Sequence, residues 1–380
     1  MDALADAISN ADFEAAHQLV LGGADWTLKS YQERQAIDRI IRGEAFDLLK
    51  LLFEKDIISS DIFEYDRFDG TIFEKLVAAP FTEALLSFLE DFVSDVDNID
   101  DDLQGKTWLG LAIAKKVDPR FIECLVGGGC DINRIDMKEQ NYLFGVKDVE
   151  TAESLINQGL DVNQRNIAGQ TVLFGAISTR NKELIQLLID NGAEINVQDN
   201  QGETPYNVVC FNIMDADIMA QMAEYEPPRF DLHNKQNQSL MMQLCDSHFV
   251  GDTSVNLLKL LIEYGGDLFE ESVDSYGRAM TPAEKLAPKK ADVIQAVIGL
   301  DNFDAATIDN RGNNWLHMVC AQNLINDAAR AKEFYRKVKI LLKAGVDPSQ
   351  KNDEDKSPID LAQDDNMKSK GLEIMLKAQT

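Results

Sequence analysis

A chain of 380 residues is longer than one compact core usually supports, so two domains or a repeat array is expected. Its 45% hydrophobic content is that of a folded protein, not a disordered one. The net charge of −28 repels nucleic acid and anionic membrane surfaces, whose phosphates are bound by Lys and Arg; it favours a basic protein partner.

The chain opens Met1-Asp2-Ala3-Leu4-Ala5-Asp6, without the basic and apolar regions of a secretory signal. No apolar stretch reaches the roughly 18 residues needed to cross a bilayer. The cysteines (Cys124, Cys130, Cys210, Cys245 and Cys320) are odd in number and show no CxxC spacing. Reduced thiols in a cytoplasmic setting are expected, with neither a disulfide framework nor a zinc site.

Helical units follow one another from residue 3 onward. A short polar residue opens the first helix of successive units at Thr71-Ile72-Phe73, Thr107-Trp108-Leu109, Asn141-Tyr142-Leu143, Thr171-Val172-Leu173 and Thr204-Pro205-Tyr206. Ser239-Leu240-Met241, Thr281-Pro282-Ala283, Asn314-Trp315-Leu316-His317 and Ser357-Pro358-Ile359 continue the series. Thr, Ser or Asn there accepts a backbone N–H as an N-cap, and Pro at the next position loses no hydrogen bond. Glycine closes second helices at Gly23, Gly129, Gly159, Gly192, Gly266 and Gly345, where a left-handed turn is needed. Gly159 to Gly192, Asn163 to Asn196, Gly169 to Gly202 and Thr171 to Thr204 are each 33 residues apart. Leu184, Leu187 and Leu188 share one helical face, as do Leu257, Leu260 and Leu261, so neighbouring units must stack to cover them.

These residues resemble the ankyrin repeat, whose pattern runs D-x-x-G-x-T-P-L-H-x-A and then a second helix ending L-L-x-x-G-A-D-V-N. The resemblance covers nearly the whole chain. It implies an all-α ankyrin-repeat solenoid of about 10–11 helix-turn-helix units with β-hairpin fingers. Residues 1–226 form an acidic amino-terminal set of about 6–7 units and residues 227–380 a carboxy-terminal set, in one continuous solenoid. The step from Asn141 to Thr171 is shortened to 30 residues, and those from Ser239 to Thr281 and from Asn314 to Ser357 are extended to 42 and 43. Tyr225-Glu226-Pro227-Pro228-Arg229 replaces a glycine turn and marks a bend or joint.

The sequence assigns no catalytic, cofactor-binding or metal-binding residue. His317 fills the family's own histidine slot, where the resemblance implies a structural imidazole bonding within and between repeats. His17, His233 and His248 lie in separate units with no partner at ligand spacing. Cys210, Cys245 and Cys320 occupy equivalent positions, six residues after the capping residue, and read as a small packing slot. Gly127-Gly128-Gly129 closes a helix and so cannot cradle phosphate at a helix start. Asn163 and Asn196, with Leu155 and Leu188 eight residues earlier, are similar to ankyrin asparagines hydroxylated in animal cells. The simpler reading is an asparagine that bonds across its hairpin.

The resemblance implies that partners dock on the fingers and the inner helix face. One position after the Asp-like finger residue stand Leu103, Met137 and Ile167 in successive units, with Ile135 flanking the second. An apolar row at finger tips reads as a contact stripe, and Arg165 and Gln198 are counted with it. From Glu54 to Asp102 there are fifteen Asp or Glu residues against Lys55, Arg67 and Lys75. Asp95, Asp97, Asp100, Asp101 and Asp102 therefore form an acidic rim beside Leu103, suited to steering a basic partner. Arg330, Lys332, Arg336, Lys337, Lys339 and Lys343 crowd one extended helix, which offers head-to-tail self-association. The expected function is a cytoplasmic, non-enzymatic scaffold whose central fingers, about residues 95–205, dock a basic protein. An acidic mimic of nucleic acid that inhibits a DNA- or RNA-binding protein is the alternative.

Overall fold

The structure, a computed structural model, describes residues 3–24, 31–58, 72–96, 99–100, 107–247, 251–324, 327–363 and 365–378, with the side chains of 31–34 and 95 excepted. Helix accounts for 56% of the chain, and strands are few. Successive helices pair as Ala3–Ser9 with Phe13–Leu21, Tyr31–Arg42 with Phe46–Glu54, Ile72–Ala78 with Glu83–Phe92, and Trp108–Lys115 with Pro119–Gly127. The 3-10 helix Tyr142–Gly145 pairs with Val149–Asn157, and Val172–Ser178 with Lys182–Asp190. Pro205–Asn207, which continues as the π-helix Val208–Ile213, pairs with Ala216–Ala223. The remaining pairs are Leu240–Asp246 with Gly251–Glu263, Pro282–Leu286 with Ala291–Ile298, Trp315–Cys320 with Ala328–Lys343, and Pro358–Gln363 with Ser369–Ala378. This is an all-α repeat architecture, in eleven pairs among the described residues. None of these helices is long and apolar enough to cross a membrane.

The capping chemistry operates where the sequence places it. Thr107, Ser239 and Thr281 hydroxyls accept the N–H of Gly110, Met242 and Glu284 at 2.9, 3.2 and 3.2 Å. Asn314 does the same for His317 at 3.1 Å, and Ser357 for Asp360 at 3.2 Å. Thr171 departs from the pattern: its buried hydroxyl has no hydrogen-bond partner. Thr71 lies outside the described residues. Gly23, Gly129, Gly159, Gly192 and Gly345 all adopt positive φ. After Gly251–Glu263 the left-handed residue is Gly265, φ 103°, and not Gly266. Gly266 is small for another reason: a Cβ there would stand 2.6 Å from the Met241 sulfur.

The irregular steps have local explanations. Shortening by three residues leaves room for only a 3-10 turn at Tyr142–Gly145. The inserted residues lengthen second helices, to 13 residues in Gly251–Glu263 and 16 in Ala328–Lys343, against 9 in Val149–Asn157. In the seventh pair an extra residue is absorbed as a π-turn, with Met214 N–H donating to Val209 O at 2.8 Å.

Two compact units emerge: residues 1–167 with 186–192, and residues 168–185 with 193–380. In the first, leading helices stack on leading helices and trailing on trailing, so each covers its neighbour's apolar face. Rings link the layers: Phe46 stacks on Phe88 at 5.2 Å, Phe53 lies 4.5 Å from Phe92, and Phe73 lies 4.0 Å from Trp108. Trp108 in turn meets Phe121 edge-on at 6.2 Å. Fully burying such side chains contributes about 1.5–3 kcal/mol each.

The second unit adds polar staples. Lys289 Nζ donates to Ser247 O at 3.0 Å, Lys337 Nζ to Ala287 O at 2.7 Å, and Lys368 Nζ to Cys320 O at 2.7 Å. Each amine comes from the next repeat and meets a carbonyl at the end of a leading helix, where partial negative charge accumulates. Lys337 is thereby removed from the basic patch expected on Ala328–Lys343. It is 5% exposed, and burial lowers its pKa to about 8.

Candidate functional site

The fingers that connect one pair to the next are built on an Asp or Asn. Asp136 Oδ1 accepts the N–H groups of Lys138 (2.7 Å) and Gln140 (2.9 Å), and Asp136 N–H donates to Gln140 O (2.9 Å). The same three bonds recur at Asp199, Asn234, Asp274, Asp309 and Asn352; Asp199, for example, takes Gln201 N–H at 2.7 Å and Glu203 N–H at 3.0 Å. Three residues after each lies a left-handed residue: Glu139, Gly202, Asn237, Gly277, Gly312 and Asp355. These fingers were expected as β-hairpins. A strand ladder forms only at Ser272–Val273 with Ala279–Met280 among the described residues, because elsewhere the side-chain-closed turn is too tight for a second ladder pair.

The turn leaves its two tip residues with little to do in folding. Adjacent fingers are stitched by their backbones, not by their tips: Ile167 N–H donates to Lys138 O at 2.9 Å, Lys235 N–H to Gln201 O at 2.8 Å, and Asp353 N–H to Arg311 O at 3.0 Å. In the first unit the tips are apolar and wet. Met137 is 99% exposed, Ile167 59% and Ile135 49%. The Ile167–Lys138 bond places Ile167 beside the finger that carries Met137 and Ile135, so the three form one surface. Arg165 is exposed next to it.

Other expected site residues have different positions. Asp100 is half-buried and bonded: its carboxylate accepts Asp131 N–H at 2.8 Å and pairs with Arg134 at 3.5 Å. It ties a turn as well as adding charge. Gln198, in the second unit, is half-buried, its amide donating to Gly202 O and His233 O at 2.9 Å each. Leu103, Asp97, Asp101 and Asp102, and the side chain of Asp95, lie outside the described residues.

A tip that sequence reading passed over is Tyr276, 80% exposed, with the Arg278 guanidinium 5.2 Å from its ring. The signal was present in Asp274-x-x-Gly277, which puts Tyr276 at the turn's apex. Beneath it, Asp274 is 2% exposed and held by Lys285 (2.8 Å) and Arg278 (2.6 Å), and Lys285 also meets Asp246 at 2.7 Å. Burial pushes the Asp274 carboxyl up, but the bonds from Lys285 and Arg278 outweigh it and hold it far below the usual carboxylate range.

The residues that might have carried chemistry are in structural roles. Asn314 N–H donates to His317 Nδ1 at 3.1 Å, which leaves Nε2–H to donate to Lys356 O at 3.1 Å. Burial lowers the His317 pKa and keeps the ring neutral. Cys130 and Cys320 are pushed up to about 12 by burial, and Cys210 and Cys245 higher still, so none is a thiolate at neutral pH. Asn163 donates to Gly192 O at 2.9 Å, and Asn196 to Pro227 O at 3.0 Å while accepting Arg229 N–H at 3.1 Å. Both asparagines thus tie one finger to the turn of the next repeat. Among the described residues no His, Cys, Asp and Glu side chains group as a metal site.

Residues 142–226 match the family of ankyrin repeats, in 3 copies. No curated protein matches the chain. Repeats of this kind are general protein–protein interaction modules and are typically non-enzymatic.

Proposed function

We propose that this chain, whose residues 142–226 are ankyrin repeats, is a protein-interaction scaffold that docks a basic protein on its central fingers. The observation that carries this reading is the exposed trio Ile135, Met137 and Ile167 on fingers whose folding is satisfied without them. Apolar side chains kept in water at the tips of a polar turn are explained by a partner that covers them. Full burial of each would contribute about 1.5–3 kcal/mol. The net charge of −28 attracts a cationic surface, raising the association rate more than the affinity. Arg165 and the acids from Asp95 to Asp102 are assigned to the rim of this contact, and the protein is placed in the cytoplasm on its reduced thiols.

The test is capture from lysate on immobilised wild type and on the triple variant Ile135→Asp/Met137→Asp/Ile167→Asp, washed through a salt gradient. A protein held at about 0.5 M salt by wild type and lost from a normally folded variant supports the reading. Equal retention on both removes the fingers from the account. Partners that all elute early and all bind nucleic acid would instead support the mimic.

A further inference from the structure

The helix Ala328–Lys343 of the second unit buries Phe334, Lys337, Val338 and Leu341 and exposes Lys332, Arg336, Lys339 and Lys343. At 3.6 residues per turn these four cations fall within an arc of about 60°, opposite the buried face. Arg330 is not in this row, and it pairs with Asp327 at 3.5 Å. Arg336 is paired with Glu333 and Asp292 at 2.8 and 2.9 Å. Among the described residues no carboxylate pairs with Lys332, Lys339 or Lys343. In a chain with 65 acids and 37 basic residues, a row of lysines left without acids is a surface set aside for an anion from outside.

We infer that this stripe is a self-association surface that takes the acidic face of a second copy. Nucleic acid is disfavoured by the whole molecule's charge of −28, which repels phosphate at long range. The same chain offers a complementary surface in its first unit. A groove of about 540 Å³ crosses the helices Phe13–Leu21, Phe46–Glu54 and Glu83–Phe92 and carries Glu14, Glu44, Asp47 and Asp91 against Lys50, which already pairs with Asp91 at 3.1 Å. The dimensions agree. Three packed helices at about 8–10 Å spacing span about 16–20 Å. From Lys332 to Lys343 the stripe rises about 16 Å at 1.5 Å per residue.

Stripe and groove are different surfaces, so the contact is heterologous. Each association leaves one of each free, and assembly runs head to tail instead of closing as a two-fold dimer. Exposed charges carry it, so it is weak and sensitive to salt.

Sedimentation of wild type from about 10 μM to about 1 mM, at low and at about 0.5 M salt, reads the effect. The mean mass should climb with concentration at low salt and return to the monomer at high salt. Lys332→Glu/Lys339→Glu/Lys343→Glu and Glu14→Lys/Glu44→Lys/Asp47→Lys should each associate at least tenfold more weakly while melting as wild type does. Mixing the two variants restores a stripe facing a groove once per pair, so a species of twice the monomer mass should appear. Wild type that stays monomeric throughout, a lysine variant that assembles like wild type, or a mixture that stays monomeric overturns the inference. Binding of a duplex oligonucleotide that the lysine variant loses, with wild type monomeric, overturns it in favour of nucleic acid.

Discussion

The finger at Asp136 and the finger at Asp199 share a backbone and differ at the tip. Both close with an aspartate accepting two N–H groups, and both reach a left-handed residue three positions on, Glu139 at φ 59° and Gly202 at φ 79°. Yet the residue after the aspartate is Met137 in one, 99% exposed, and the polar Asn200 in the other. Since the same turn forms with either, the tip residue is not dictated by folding, and an apolar one needs another cause. A third finger, at Asp274, separates a further variable: there the aspartate is buried and paired instead of exposed.

That contrast gives the largest expected effect. Asp274→Ala removes the turn and strips a buried carboxylate from Lys285, a loss of about 3 kcal/mol or more, whereas Asp136→Ala loses only exposed turn bonds, about 1 kcal/mol. Urea unfolding of the two variants measures the gap, and equal losses would show that the ion cluster adds nothing.

A smaller effect is expected from pH. The folded pKa of His317 lies below its unfolded value, so the unfolded chain binds the proton first. The stability from the neutral ring is complete above about pH 6.5 and is lost as pH falls below it, by at most about 1.4 kcal/mol per pH unit. His317→Gln should flatten the dependence of unfolding free energy between pH 7 and 5, and an unchanged slope would assign that dependence to other groups.

Smallest is the effect of Glu139→Gly. Glycine removes the strain of φ 59° but adds freedom to the unfolded chain, for a net gain of about 0.5 kcal/mol, while Gly202→Ala at φ 79° should be destabilising. A Cβ at Gly202 would also come within 2.8 Å of the Asn234 Cα. A lowered melting temperature in Glu139→Gly would break the equivalence of the two turns.

Much of this was legible because capping and turn chemistry is local. Thr107, Ser239, Thr281 and Asn314 announce their helices through side chains that reach only three residues ahead. The period of 33 residues likewise located the fingers and their apolar tips. What escaped depends on neighbours distant in sequence. Lys337 looks like its exposed companions until the Ala287 carbonyl, 50 residues away, claims its amine. Asp100 looks like part of an acid run until Asp131 N–H and Arg134 take its oxygens. Gly266 looks like a turn glycine, and only packing against Met241 shows that Gly265 makes the turn.

Amide hydrogen exchange of the protein with and without the partner captured at high salt tests the central claim most directly. Protection on binding is expected at residues 134–141 and 164–169, the fingers with exposed Ile135, Met137 and Ile167, and not at the polar-tipped finger 199–204. Protection of 199–204 with 134–141 unchanged would contradict the assignment of binding to the apolar tips.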